Sequence, residues 1–218
     1  MHNRPPRSLA IVSTAEALAD DLERRILQGE FAPGEHLGEV ELSEEYQVGR
    51  HTLRAAFDRV VHRGLLVKQR NRGVSVRELT ADDLGEIYEV REAIEVESVR
   101  ILATRRIVPE EAQRTTAHLR TLTRLAPRPD VIAADLGFHR ALVEGTGNVR
   151  LARVHHDLGA EIQLCLAQLV RGYASPRETA AEHDQLLEPI ARGRVEAAER
   201  AVREHFARAL DWLVAHAR

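Results

Sequence analysis

Cysteine is nearly absent from the chain: Cys165 is the single one among 218 residues. One cysteine cannot form an internal disulfide or supply a thiolate metal cluster. The chain also lacks any apolar run near the roughly 18 residues that a membrane span needs, and residues 1–8 lack the hydrophobic stretch of a secretion signal. These absences predict a soluble, cytoplasmic protein in a reducing compartment, with no membrane partner.

Aromatic residues are scarce as well, at 4% of the chain, so the core has to be built mainly from Leu, Val, Ile and Ala. Two glycine-rich phosphate motifs, GxGxxG and GxxxxGK[ST], are missing, which argues against nucleotide-driven chemistry. The HExxH motif of zinc hydrolases is also missing. With 44% hydrophobic residues, the chain can still form one large domain or two small ones.

The first third of the chain shows three helical segments followed by two short strand-like runs. A capping box at residues 13–16 opens the first helix, a second helix spans residues 39–46, and a third runs from Gly49 to Gly64. The apolar residues 65–67 and 74–76 are joined by a polar turn, which is typical of a hairpin. Three helices and a hairpin predict a winged helix-turn-helix over residues 1–77.

From Thr80 onward the apolar period is helical throughout, and proline and glycine mark the breaks. The predicted helices cover residues 81–107, 109–125, 130–144, 149–171, 176–192 and 195–217. Short connections between amphipathic helices favour an antiparallel bundle of six to seven helices over residues 82–218, after a linker at 78–81. The predicted fold class is therefore mainly α.

Charge is unevenly distributed in the first domain. Residues 49–77 hold eight basic side chains and one acid, whereas residues 16–45 hold ten acids and two arginines. A basic recognition helix and hairpin tip would suit a duplex phosphate backbone, although each arginine alone could be an ordinary solvated position. The DNA-contacting candidates are Arg50, His51, Thr52, Arg54, Arg70, Arg72 and Gly73.

One carboxylate and three imidazoles lie on apolar faces of the second domain. Asp135 and His139 are four residues apart and so share a helical face, while His183 and His205 lie on the apolar stripes of two further helices. Each histidine alone could be a hydrogen-bonded core residue. Burying all four groups becomes inexpensive if they converge on one divalent cation, with zinc the first choice and nickel, cobalt or manganese as alternatives.

Three segments carry a resemblance to a known family: ILQGEFAPGEHL at 26–37, VGRHTLR at 48–54 and GLLV at 64–67. The chain resembles the GntR family of bacterial transcription regulators, in its FadR-type subfamily. The resemblance implies a winged helix-turn-helix followed by an all-helical FCD effector domain that also dimerises. Asp135, His139, His183 and His205 match the metal-binding pattern of that effector domain.

Arg91 and His155 are the predicted effector-binding residues. Arg91 lies on an apolar stripe, where it could form a salt bridge to Glu95 or Glu92; the resemblance implies a clamp for carboxylate effectors. His155 and His156 are competing candidates for the metal site; His155 lies on an apolar stripe and is expected to line the same cavity as a neighbour of the ion rather than as a ligand.

Together these features predict a homodimeric regulator, a repressor rather than an enzyme. Its affinity for double-stranded operator DNA would respond to a small organic acid bound at the metal site. Two alternatives remain open: a direct divalent-metal sensor, and a metal-dependent enzyme.

Overall fold

A computed structural model describes residues 13–69, 73–123, 125–169 and 175–216. The chain divides into two compact units, with the main boundary between Arg77 and Glu78. Both units are built mainly from α-helices, which confirms the predicted fold class. Among the described residues, no helix is both long and apolar enough to cross a membrane.

The first unit combines three helices with a small antiparallel sheet. Its elements are α1 (Thr14–Leu27), β1 (His36–Leu37), α2 (Glu39–Glu45), α3 (Arg50–His62), β2 (Leu66–Gln69) and β3 (Gly73–Val76). The strand order is β1-β3-β2, so β3 lies in the centre. The hairpin of β2 and β3 was predicted, whereas β1 was not, because two residues are too short to show an alternating pattern.

The apolar stripes of α1 and α3 form the core of this unit. Leu22 of α1 and Leu53 and Phe57 of α3 are at most 1% exposed. At the start of α1 the Ser13 hydroxyl accepts a hydrogen bond from the Glu16 amide at 3.2 Å, as the capping box predicts. Helix α3 is thus held on a packed scaffold with its opposite face exposed.

Six helices make up the described part of the second unit. They are α4 (Ala81–Arg105), α5 (Glu110–Thr121), α6 (Arg128–Gly145), α7 (Val149–Leu169), α8 (Pro176–Ala191) and α9 (Val195–His216). Helix α4 packs against α6, α7, α8 and α9 and so forms the centre of the bundle. Capping boxes at Thr80–Asp83 and Ser175–Glu178 fix where α4 and α8 begin. Helix α5 ends four residues earlier than predicted, at Thr121.

Two helical glycines give a matched test of packing in the second unit. A Cβ on Gly145 would overlap the ring of Pro109, whereas a Cβ on Gly85 would meet nothing within 4 Å. We expect Gly145→Ala to lower the free energy of unfolding by about 1–3 kcal/mol, because the proline ring cannot move aside freely. Gly85→Ala should raise it by about 0.5–1 kcal/mol, because alanine loses less backbone entropy in a helix. Urea unfolding of both variants checks this pair, and equal signs would contradict it.

Candidate functional site

Three helices of the second unit bring their histidines together in the core. His139 of α6, His183 of α8 and His205 of α9 are at most 5% exposed. One ring nitrogen from each histidine lies within 4.8 Å of one from each of the others. The apolar stripes of these helices face the bundle interior, which is why the three imidazoles meet there. The predicted convergence of the three histidines is therefore present in the structure.

Asp135 lies one helical turn before His139 on the same face of α6. Its Oδ1 atom lies 3.1 Å from His183 Nε2 and 3.9 Å from His139 Nε2. Burial alone would raise the pKa of the Asp135 carboxyl, but the hydrogen bond from His183 and the neighbouring histidines hold the pKa well below its ordinary value. The fourth predicted ligand is thus an ionised carboxylate in contact with the histidine cluster.

Two carboxylates outside the predicted set orient the imidazoles from behind. His139 Nδ1 lies 2.6 Å from Glu95 Oε2, and His205 Nδ1 lies 2.9 Å from Glu182 Oε2. An ionised carboxylate can only accept, so each Nδ1 carries the hydrogen, and a neutral ring held in this way has its lone pair on Nε2. The two Nε2 atoms are 3.3 Å apart.

Two of the three histidines, His139 and His183, have the electronic character of metal ligands. Burial lowers the pKa of His139 to about 3, and burial also lowers the pKa of His183. His139 is therefore a neutral lone-pair donor near pH 7. Two nitrogens bound to one tetrahedral ion through bonds of about 2.1 Å lie about 3.4 Å apart, close to the separation between His139 and His205. A cation between the two rings would accept a lone pair from each Nε2 atom.

Glu95 connects this cluster to Arg91. The Glu95 side chain is fully buried on α4, and its Oε1 accepts a hydrogen bond of 2.9 Å from Arg91 Nε. Burial alone would raise the pKa of the Glu95 carboxyl, but His139 and Arg91 hold it well below its ordinary range. The sequence placed Glu95 only as an alternative partner of Arg91, and nothing in the helical pattern indicated that its second oxygen meets α6.

Arg91 keeps an unused donor inside the bundle. It is 2% exposed, and its Nη2 atom has no hydrogen-bond partner among the described residues. The guanidinium lies 4.6 Å over the ring of Phe206 and 5.4 Å over that of Tyr88. The salt bridge to Glu95, one of the two sequence interpretations, is present, and it occupies only part of the guanidinium.

His155 joins the same cluster from α7. Its Nε2 atom lies 3.4 Å from Glu95 Oε1 and has no hydrogen-bond partner among the described residues. His155 is 5% exposed, whereas its competitor His156 is exposed. Of the two histidines, His155 is therefore the one that lies beside Glu95.

In the first unit, the predicted recognition residues lie at the start of α3. Arg50, His51 and Arg54 are exposed, and Thr52 is half-buried. Gly73 begins β3 with a φ of 78°, and a Cβ there would press on the His36 ring, so this position requires glycine. Arg70 and Arg72 lie outside the described residues.

The basic face of the first unit is smaller than the charge count indicates. Arg59 of α3 and Arg63, the residue that follows α3, point to the acids of α1: each has a nitrogen within 3.3 Å of Glu16. Lys68 is paired with Asp58. These partners are 10 to 47 residues away in sequence, so the composition of one segment could not show them. The exposed cations of α3 are accordingly concentrated at its N-terminal end.

Both units match known protein families. Residues 14–76 match the bacterial regulatory proteins of the gntR family, and residues 86–208 match the FCD domain. The chain belongs to the GntR family. Its members and the relatives below are transcription regulators rather than enzymes, so the predicted absence of a catalytic role stands.

Relatives and a solved structure agree with this family. RmpR of Mycobacterium gastri, named as an HTH-type transcriptional regulator, is 31% identical over 95% of this chain and 83% of its own length. A protein of Paenarthrobacter nicotinovorans, described as a D-xylose utilization operon transcriptional repressor, is 28% identical over 92% of this chain and 89% of its own. A GntR transcriptional regulator from Rhodococcus sp. RHA1 has a TM-score of 0.79 at 25% identity, covering 94% of this chain and 99% of the other.

Proposed function

We propose that this GntR regulator is a repressor whose operator affinity is controlled by a small carboxylate metabolite bound at a metal site in the second unit. The observation that carries the proposal is the pair of facing Nε2 atoms of His139 and His205, 3.3 Å apart in a buried, carboxylate-oriented cluster. Two ring nitrogens at this separation, each oriented by a carboxylate on its far side, are placed to bind one cation.

The metal ligands in this proposal are Asp135, His139, His183 and His205. Three neutral imidazoles and one carboxylate suit a divalent transition metal, with zinc the first choice. Glu95 and Glu182 accept hydrogen bonds from the far nitrogens of two of the rings, which fixes ring orientation and raises ligand basicity. When bound, such an ion would act as a Lewis acid that attracts a carboxylate oxygen.

Arg91 is the proposed second contact for the effector. Its buried Nη2 has no hydrogen-bond partner in the part of the chain that the structure describes, so a carboxylate that enters the cluster gains a charge-assisted hydrogen bond without displacing one of these contacts. His155 adds a further ring nitrogen, 3.4 Å from Glu95 Oε1, without a hydrogen-bond partner among the described residues. The chemistry that fits is a small organic acid with a second oxygen function, one end facing the ion and the other facing Arg91.

Control of transcription follows from differential binding. In a homodimer, two recognition helices read half-sites about one turn of DNA apart. An effector shifts operator affinity only if it binds more tightly to one arrangement of the dimer than to the other. We propose that the effector binds more tightly to the dimer arrangement with the lower operator affinity. Effector binding would then relieve repression.

Arg91→Lys tests the effector contact with little risk to the fold, because lysine keeps a positive charge beside Glu95 but loses the planar fork. A panel of hydroxy- and dicarboxylic acids would be titrated into zinc-loaded protein by calorimetry. We expect at least one acid to bind the wild type, and Arg91→Lys to weaken that acid about ten-fold or more. Arg100→Lys, at an exposed position of the same helix, serves as the matched control.

The same titrations separate the alternatives. Equal affinity of wild type and Arg91→Lys for the acid would remove Arg91 from the site. Operator affinity that follows the metal concentration, with no acid bound by the wild type, would replace the effector proposal with that of a direct metal sensor.

A further inference from the structure

Arg54, at the reading end of α3, is held by a glutamate from the neighbouring helix. Arg54 Nε lies 3.0 Å from both carboxylate oxygens of Glu39, and Arg54 Nη2 lies 2.8 Å from Glu39 Oε2. The side chain of Arg54 remains 64% exposed and that of Glu39 30% exposed. The pair therefore lies at the surface, and its contribution to stability is small.

The geometry of the pair decides which edge of the guanidinium is available. Glu39 engages the side edge, formed by Nε and Nη2. The end edge, formed by Nη1 and the second hydrogen of Nη2, has no hydrogen-bond partner among the described residues and points away from the carboxylate. Guanine offers two acceptors, O6 and N7, to a bidentate arginine in the major groove. The end edge of Arg54 has the two donors that this contact needs.

Glu39 is itself well anchored. It is the first residue of α2, and it follows Leu37 of β1, which is 2% exposed, while Leu42 fixes the next turn of α2 in the core at 5% exposed. Its carboxylate is thus placed by a strand and a helix rather than by a mobile loop. An arginine that is held by such a fixed carboxylate loses little rotamer freedom when it contacts the edge of a nucleobase.

We propose that Glu39 is a positioning residue for operator specificity: it orients Arg54 to read a guanine end-on, and it keeps Arg54 from binding phosphates indiscriminately. The proposal rests on the operator binding put forward under Proposed function. A guanidinium whose charge is balanced by a carboxylate gains less from a phosphate, which is the contact that dominates non-specific binding. The glutamate therefore favours the base contact over the backbone contact.

Binding-site selection from a library of random DNA duplexes tests this with full-length protein. Wild type, Glu39→Gln, Arg54→Lys and the control Glu44→Gln would be compared. Glu44→Gln removes the same charge from an exposed position of α2. Affinities would then be measured for the duplex that the wild type selects and for a scrambled duplex of equal composition.

We expect the wild type to select a guanine at one position of the half-site. Arg54→Lys should lose this preference, because a lysine cannot make the bidentate contact. Glu39→Gln should also lose it, because Arg54 is then no longer oriented by a carboxylate. Glu39→Gln should bind the scrambled duplex more tightly, and its ratio of selected to scrambled affinity should fall about ten-fold. Glu44→Gln should keep both the guanine and the ratio. Circular dichroism would show that all variants are folded.

Three results would overturn the inference. In the first, the wild type selects a clear sequence, but the ratio of selected to scrambled affinity of Glu39→Gln lies within two-fold of that of Glu44→Gln. This result would leave the regulator assignment intact. Another is retention of the guanine by Arg54→Lys, since Arg54 would then not read it. The third is failure of the wild type to select any sequence, which would contradict the proposed function as well.

Discussion

Zinc affinity is expected to fall by about 100-fold or more when His205 is replaced by alanine. Loss of an outer-shell partner alone typically costs 10–100-fold in metal affinity, and His205 lies in the inner set. The structural reason is that His205 supplies one of the two facing Nε2 atoms, and its loss leaves only three of the four proposed ligands. Competition titration of metal-free protein with a chromophoric chelator measures the change.

His118→Ala is the matched control, because His118 is exposed on α5. Its zinc affinity should equal that of the wild type, and both should bind one ion per chain. If His205→Ala bound zinc as tightly as His118→Ala, the ion would lie elsewhere. The histidine cluster would then be only a hydrogen-bonded core.

The largest expected loss of stability follows from Glu95→Ala. In metal-free protein this change leaves the Arg91 guanidinium buried at 2% exposure without its carboxylate partner. Breaking a buried ion pair from one side costs about 3–5 kcal/mol, because the remaining charge stays desolvated. Urea unfolding in the presence of a chelator should show that decrease in the free energy of unfolding.

An exposed ion pair on the same helix provides the comparison. Glu97 pairs with Arg100 at 42% and 47% side-chain exposure, so Glu97→Ala should cost less than about 1 kcal/mol. The double variant Arg91→Met/Glu95→Leu should recover most of the loss, because an apolar pair leaves no buried charge. A Glu95→Ala variant as stable as Glu97→Ala would show that Arg91 finds solvent or another partner.

Local pattern predicted most of the fold because the helices are local structures. The apolar period, the capping boxes and the proline breaks each involve residues that are close in sequence, such as Ser175 and Glu178. Strand β1 was not predicted because a strand of two residues is too short to show an alternating pattern. The stripes that pointed His139, His183 and His205 inward also indicated that they could meet, since inward faces of one bundle share one interior.

The remainder depends on contacts between distant residues. Glu95 meets His139 across 44 positions, and Arg63 meets Asp20 across 43. In the sequence, Glu95 and Asp20 cannot be distinguished from other charged residues of helices. Only the structure therefore shows the role of Glu95 and the pairing of cations in and after α3 with the acids of α1. The Glu39–Arg54 pair, 15 positions apart, is of the same kind.

X-ray absorption at the zinc edge of protein loaded with one equivalent of zinc is the most direct measurement of the central claim. We predict a first shell of nitrogen and oxygen at about 2.0–2.1 Å with the outer scattering of three imidazoles, and no sulfur. The His205→Ala spectrum should show one imidazole fewer, or the variant should fail to bind zinc at this site. A sulfur ligand, or a spectrum unchanged in His205→Ala, would contradict the claim that these side chains hold a single ion.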